Sequence, residues 1–461
     1  MFLTITIAHF RLIAKAVVAL QDIEGVIPTS FPHERHVAVH DREIHDPLGA
    51  GSYVFQKSFV PSIIRSAGLP IPSDHTSIAC TPQKLTVHIG AQPNNSPHAG
   101  TMVVFFMGFL VAKEIQLHYK NLSRDGLSQD FCDWIDNFQV KVQLNLVDTA
   151  PDSRIESAEG VYQRSLRFTQ GVRRYEADYD EVLRLASQGV QKTIEYEITH
   201  QVDLTGMECF PAVVKQVVKN RAVLGPLLAP DRGVLAMRAA CPKVGCGLAD
   251  KHGVLNEYMV HPSGEVTISF LCPEHGRYEI STSNHEQLAR LEFNTPLRNL
   301  VRSIALALDT AQSRKGVMEG KEGACERVHI RVTGSDYAGF YSDQVFWQAW
   351  LMLGLTKELT PPVVLYAPLV VDWAGSKISK SLYVKSGAYK YLEEREMNYL
   401  LEYATMKKRA KDPMVLFRLV ESWVKEPKKI FRSFSVEYLH MVFCEQEARD
   451  VTKKKVILAL Q

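Results

Sequence analysis

The chain has 461 residues, 46% of them hydrophobic and 23% charged, which is the balance of a folded enzyme of two or three domains and excludes a disordered tail, a fibrous repeat or a small disulfide scaffold. A formal net charge of +2 excludes overall electrostatic steering toward nucleic acid, so any basic surface must be local. Eight cysteines at irregular spacings fit a reducing compartment, and the cytoplasm is the expected location.

The amino terminus, MFLTITIAHFRLIAKAVVAL, is apolar, but His9, Arg11 and Lys15 interrupt it and no clean cleavage site follows. It reads as a buried amphipathic segment rather than a targeting peptide. Residues 20–80 are rich in Pro, His, Ser and Gly, so residues 1–80 are expected to form an irregular extension or cap. At Lys84 the pattern changes. KLTVHIGA alternates like a strand, and a long apolar helix is expected from Pro97 to about Tyr119, with its greasiest stretch, Met102–Ala112, too short for a membrane span. A second strand, VKVQLNLVD, ends at Asp148. Strand, glycine-bearing turn, helix and strand make a βαβ unit, hence an α/β fold with a parallel sheet. Helical spacing returns around Tyr175–Ala186 and Pro211–Leu224, completing a first catalytic half over residues 81–234.

Residues 235–290 read as a small insertion with short strands and clustered ligands. Cys241-x4-Cys246 and Cys272-x2-His275 are two knuckles of soft ligands that suit tetrahedral zinc, with His252 or His261 as substitutes for one of them. A structural zinc contributes about 10–16 kcal/mol of apparent binding energy, enough to order an insertion that lacks its own core. Helical periodicity resumes after Pro296 in LRNLVRSIALAL. VHIRVTG (328–334) reads as a buried strand, and PPVVLYAPLVVDW (361–373) holds one or two more, so residues 291–386 form the second half. Residues 387–461 are helical, mixed in charge and locally basic at Lys407, Lys408, Arg409, Lys411, Lys425, Lys428, Lys429 and Arg432.

Two segments carry phosphate chemistry. GAQPNNSPHAGT, Gly90 to Thr101, joins a strand to a helix whose first N–H groups and positive dipole end suit an anion. Gly90 and Gly100 admit a nucleotide close to the backbone, and His98 adds a donor at the first helical turn. GSKISKS, Gly375 to Ser381, follows an apolar strand; its two lysines are mobile point charges that can close over a pyrophosphate as charge develops.

His98-Ala-Gly-Thr101 resembles the HIGH signature of class I aminoacyl-tRNA synthetases, and Lys377-Ile-Ser-Lys-Ser381 resembles KMSKS. The likeness is closer to class I lysyl-tRNA synthetases, whose first signature has the form HIGN and is preceded by glycine and proline at the spacing of Gly90 and Pro93. It extends through LEFNTPLR (291–298) and VTGSDY (332–337), the latter similar to the family's GKDH element, and spans roughly residues 84–385. The resemblance implies a Rossmann-like parallel sheet of the HUP type, flanked by helices, with a small zinc-binding insertion and a short carboxyl-terminal helical region. It implies that His98 and Thr101 face ATP phosphates and that Gly334 and Asp336 hold the ribose. Lys377 and Lys380, with Ser379 and Ser381, would stabilise pyrophosphate departure. Asp148 and Glu195 would anchor a cationic amino-acid side chain, and His98, His200 and Tyr337 are candidates by type for a base or an oxyanion donor.

Departures shape the functional expectation. Thr101 stands where HIGH has its second histidine, Tyr337 replaces the histidine of GKDH, and Asn294 stands where aspartate is usual. Only residues 387–461 follow the lysine loop, too few for the large anticodon-reading domain of that family. The chain therefore resembles a catalytic core detached from codon reading, as expected of a fungal arginine-containing cyclodipeptide synthase. Such an enzyme joins an amino acid, here arginine, from aminoacyl-tRNA to a second amino acid by amide bonds to give a diketopiperazine. The alternative is an ATP-dependent lysyl-tRNA synthetase-like aminoacyl-tRNA or amino-acid ligase. Expected partners are the acceptor end of aminoacyl-tRNA and an amino acid, with no membrane; expected cofactors are structural zinc and, where adenylation is retained, ATP with magnesium.

Overall fold

The computed structural model describes residues 59–71, 83–157, 160–355, 359–378, 387–430 and 432–460, with no side-chain description beyond residue 452. Most of the expected cap, the apolar amino-terminal segment and Ser379, Lys380 and Ser381 lie outside these residues. The elements in chain order are α1 Val60–Ala67, β1 Gln83–Ala91, α2 Ala99–Lys120, α3 Gln129–Asn137, β2 Gln139–Leu146, β3 Pro151–Ser157, β4 Gly160–Ser165, α4 Glu176–Gly189, β5 Glu195–Thr199, α5 Phe210–Lys219 and α6 Arg221–Leu228. There follow β6 Met237–Ala239, β7 Ala249–Asp250, β8 Glu257–Val260, β9 Val266–Cys272, β10 Gly276–Ser281, β11 Leu291–Phe293, α7 Thr295–Met318, β12 Glu326–Gly334, β13 Val363–Ala367, β14 Val370–Val371, α8 Tyr403–Lys408, α9 Met414–Lys425, β15 Phe434–Ser435 and α10 Val436–Leu460. Residues Phe340–Ala349 wind as a π-helix.

Five strands form the central sheet in the order β13-β12-β1-β2-β5, and every pairing is parallel. The chain starts in the middle at β1, runs outward through β2 to β5, then returns to the other side of β1 for β12 and β13. This is a Rossmann-like, doubly wound sheet, and its reversal lies between β1 and β12. In such sheets the crevice outside the carboxyl ends at the reversal is where ligands bind.

The sheet packs on α2, the long helix read from the sequence, which runs to Lys120. By length and composition it could cross a membrane, yet most of it is interior: Met102, Val103, Phe105, Phe106, Phe109 and Leu110 are all buried in the main core. Gly108 is where helix and strand meet most closely, because a Cβ there would fall 2.7 Å from Cγ2 of Ile89. Ile89 is β-branched and has little rotamer freedom to yield. Gly108→Val should therefore cost about 1–3 kcal/mol by overpacking, read as a lower urea midpoint at an unchanged slope.

Two regions flanking the two catalytic halves also contribute to the main core. Helix α1, inside the expected cap, packs into the same core through Phe59, Val60, Ile63, Ile64 and Leu69. The carboxyl-terminal helices also belong to that core: Phe417 of α9 meets Phe106 edge-on with ring centroids 5.4 Å apart and seats over Gly189, where a Cβ would come within 2.5 Å of the ring. Several of the lysines read as a basic face are paired within the chain: Lys407 with Asp178 and Glu181, Lys411 with Glu447, Lys425 with Glu421 and Lys429 with Glu426.

The ligand-bearing segment is woven into its surroundings. Strands β8, β9 and β10 form an antiparallel sheet, but β6 pairs with β11, and β7 adds to the β3–β4 hairpin. The sequence reading had no strand at β3, β4 or β5, and the single helix expected over Pro211–Leu224 is two, α5 and α6.

Candidate active site

The loop between β1 and α2 is fixed from three sides. Tyr179 Oη of α4 donates to the carbonyls of Gln92 (3.1 Å) and Asn95 (3.2 Å). Ser96 Oγ donates to Asp178 Oδ2 at 2.7 Å and accepts from the Ala404 N–H at 3.0 Å, while Tyr403 N–H donates to the Pro97 carbonyl at 2.7 Å. Helix α8 thus holds the signature turn, which gives the carboxyl-terminal region a positioning role that the sequence reading did not assign.

His98 is the amino-terminal cap of α2. Its Nδ1 accepts from the Thr101 N–H at 3.3 Å, so a neutral ring carries its proton on Nε2, the donor nitrogen. Gly100 makes room for this ring: a Cβ there would lie 2.9 Å from His98 Cε1. The same logic holds at Gly334, where a Cβ would lie 2.5 Å from Asp336 Oδ1.

Lys377 comes from a tight turn after β14. Asp372 Oδ1 accepts from Ala374 N–H and Ser376 N–H, both at 2.9 Å, Gly375 sits at φ 78°, and the buried Ile378 returns its N–H to the Val370 carbonyl. The Lys377 ammonium reaches across to the Asp336 carboxylate and stands 5.7 Å from the Tyr337 ring centroid.

These segments face one another across a cavity of about 430 Å³ at the reversal of the sheet. Gly90, His98, Gly100, Thr101, Gly334, Asp336, Tyr337 and Lys377 all line it. Its size is that of a small-molecule site. A second cavity of about 440 Å³ shares Gln92 and Arg298 with the first and is walled by Arg232, Arg238, Lys251 and His252.

Other expected residues lie elsewhere. Asp148 is buried but engaged with Arg167, through Nε (2.9 Å) and Nη2 (3.2 Å), and accepts from the Gln201 N–H at 3.2 Å. It lines neither cavity, and its carboxylate is held in the ion pair with Arg167. Glu195 is exposed at the amino end of the edge strand β5 and lines neither cavity. His200 caps the short helix Gln201–Thr205 and stands 3.6 Å from Glu176, outside both cavities. Pro93 is buried in the signature loop and does not line the cleft.

Sequence reasoning missed what does form the floor of the cleft: Arg298 and Arg302 of α7, Asn299 between them, and Arg331 of β12. The three arginines are only 6%, 4% and 8% exposed. Burial pulls the Arg298 guanidinium down to about 10 and Arg302 well below its ordinary range, and neighbouring guanidiniums push in the same direction. The signal was present: arginines four apart in LRNLVRSIALAL and one inside VHIRVTG interrupt otherwise apolar core patterns.

Cys241, Cys246, Cys272 and His275 come together with all ligand atoms within 4.8 Å of one another. Cys246 Sγ lies 3.6 Å from Cys272 Sγ, and His275 Nδ1 lies 3.7 Å and 3.6 Å from the Cys241 and Cys272 sulfurs. Tetrahedral zinc with bonds of about 2.3 Å sets its ligands roughly 3.8 Å apart, so this set could hold a metal such as zinc. Burial raises the Cys246 and Cys241 thiols. His261 is engaged with Thr267, and neither it nor His252 joins the cluster.

No protein-family model matches the chain, and neither does any curated protein. Solved structures similar to it include glutamate-tRNA synthetase from Elizabethkingia anophelis (11% identity, TM-score 0.28, covering 66% of this chain and 54% of that one). A putative arginyl-tRNA synthetase from Campylobacter jejuni aligns at 9% identity and a TM-score of 0.24, over 64% of this chain and 57% of its own. A glutamate tRNA ligase from Elizabethkingia meningosepticum, in complex with its amino acid, aligns at 10% identity and a TM-score of 0.28, over 66% and 53%. The chain thus spans about half the length of these solved structures.

Proposed function

We propose that the chain is an aminoacyl-transfer enzyme that takes the aminoacyl-adenosine end of a charged tRNA into the cleft and joins its amino acid to a second one by an amide bond, as a tRNA-dependent cyclodipeptide synthase. The observation that carries this reading is the meeting of His98 and Thr101 with Asp336 and Lys377 across one cavity, from segments far apart in sequence. In this reading Gly334 and Asp336 take the ribose, the α2 amino terminus and His98 Nε2 face phosphate, and Lys377 acts as a mobile cation over the same group. The roles of Lys380, Ser379 and Ser381 are proposed from the motif alone. The adjoining second cavity supports a two-substrate reaction, because it offers room for an incoming amine or acceptor strand next to the first. Zinc in the Cys241–His275 cluster would order the strands around it.

A second reading, an ATP-dependent lysyl-tRNA synthetase-like aminoacyl-tRNA or amino-acid ligase, is favoured by the placement of Lys377 beside Asp336, where a phosphate next to a ribose would lie. ATP with magnesium would then be required. Arginine has no carboxylate waiting for it among the described residues of the cleft other than Asp336, which Lys377 occupies.

Purified protein given charged tRNA and free amino acids should yield a cyclic dipeptide by mass spectrometry, without amino-acid-dependent pyrophosphate–ATP exchange. Exchange without dipeptide would instead establish the ligase. Absence of both products would overturn the proposal.

A further inference from the structure

The cleft floor poses an electrostatic problem that the fold does not solve. Arg298, Arg302 and Arg331 converge beneath Gly90, where a Cβ would stand 3.8 Å from Arg331 Nη2 and 4.0 Å from Arg302 Nη1. Elsewhere the chain neutralises a buried arginine with a carboxylate: Arg238 pairs with Glu292 at 3.0 Å. Among the described residues none of the three has a carboxylate partner. Arg298 Nη2 donates to Thr295 Oγ1 and Arg331 Nη2 to Asn299 Oδ1, both at 3.3 Å; Arg331 also lies 5.7 Å from the Tyr341 ring centroid. Among the described residues the Nε atoms of Arg298 and Arg331 find no hydrogen-bond partner, and Arg302 makes neither a hydrogen bond nor an ion pair. Among the described residues, the ionisable groups facing Arg298 and Arg302 are other arginines, the phenols of Tyr337 and Tyr341, and the buried imidazole of His88 beside Arg302; none of them is a carboxylate.

Uncompensated buried charge is costly, and a cluster of like charges is more so. Such a cluster persists where an anionic ligand completes it, and a planar guanidinium matches a carboxylate in two-pronged fashion. The groups placed to meet phosphate, His98, the α2 amino terminus and Lys377, stand at the rims, which leaves the floor for a different anion.

We infer that the three arginines form a pocket for the side-chain carboxylate of an acidic amino acid, so that one amino acid handled by this enzyme is dicarboxylic rather than cationic. This names the substrate class of the site proposed above and rests on that reading for the position of the adenosine.

The test compares 5′-O-(glutamylsulfamoyl)adenosine and its aspartyl, lysyl and arginyl counterparts, with AMP and inorganic phosphate, by calorimetry and thermal shift on the full chain. A glutamyl or aspartyl compound should bind at least about tenfold more tightly than the lysyl and arginyl ones. Arg302→Met should remove this preference while leaving AMP binding, and should raise the melting temperature of the free protein, because it deletes an unpaired buried charge. A merely structural arginine would lower that temperature when removed. Equal affinity for all four side chains, preference for the cationic ones, or phosphate binding that alone disappears in Arg302→Met would overturn the inference. AMP binding without acidic preference defeats the inference and spares the adenosine site; acidic preference without any AMP binding does the reverse.

Discussion

Lys377→Ala should lower turnover by roughly 10²–10³-fold, the usual consequence of removing one preorganised charge donor from a transition state. The side chain is half exposed and its only ion-pair partner among the described residues is Asp336, a contact of the kind worth about 0–1 kcal/mol at a surface. Stability should therefore stay within about 0.5 kcal/mol of the parent, which separates loss of chemistry from loss of fold. The variant should affect turnover more than substrate affinity if the ammonium meets charge that develops during the reaction, and affinity alone if it only gathers phosphate. Asp336→Asn adds a second arm. This variant keeps the Lys377 side chain and removes the carboxylate proposed to hold the ribose, so the defect should be mainly in binding of the adenosine moiety. Initial rates of dipeptide formation, and of pyrophosphate exchange for the ligase reading, measure both. A Lys377→Ala enzyme with parental turnover would remove the phosphate-clamp role.

How much of this was written in the sequence follows from how each feature is encoded. KLTVHIGA, VKVQLNLVD and VHIRVTG read as strands because branched and aliphatic residues alternate in them with polar ones at the two-residue period of a strand. The turn at His98 and the lysine loop were legible because each carries chemistry in a short contiguous stretch. The arginine floor was not, because its members come from a helix and a strand and become a site only when α7 crosses behind β12. Asp148 was ambiguous for a related reason. A strand-terminal acid facing a crevice and one closing a half-buried ion pair look alike until Arg167, nineteen positions on, is seen to reach back. Strands β3 and β5 were missed since both are edge strands of half-exposed residues, PDSRIES and EYEIT, whose alternation is too polar or too short to stand out. The carboxyl-terminal helices misled by their lysines: charge was visible in the sequence, but the glutamates that neutralise it lie on other helices or a turn away.

Loss of a cysteine ligand should be felt as a failure of folding rather than of chemistry. Cys241, Cys246 and Cys272 are buried in a satellite core whose other buried members, among the described residues, are Tyr162 and Leu248, with Ile155 and Tyr278 packed against them, too little apolar surface to order the knuckles by itself. Metal binding at such a cluster supplies folding free energy directly, on the order of 10 kcal/mol in small zinc modules. The knuckles are also tied to the rest of the molecule: Arg164 Nε of β4 donates to the Cys246 carbonyl at 2.6 Å, and β7, the strand after Cys246, pairs with β4. Cys272→Ser should accordingly abolish bound zinc and lower the melting temperature of the whole chain. His275→Ala makes the sharper case, because this ligand is exposed and its truncation leaves no cavity. Any large destabilisation by that variant must come through the metal, and stripping zinc from the parent with a chelator should reproduce it. Cys132→Ser, at a half-buried thiol remote in sequence from the cluster, should change neither zinc content nor melting. Stoichiometric zinc retained in both ligand variants, or a parent that melts identically with and without metal, would show that these four residues hold nothing that the fold needs.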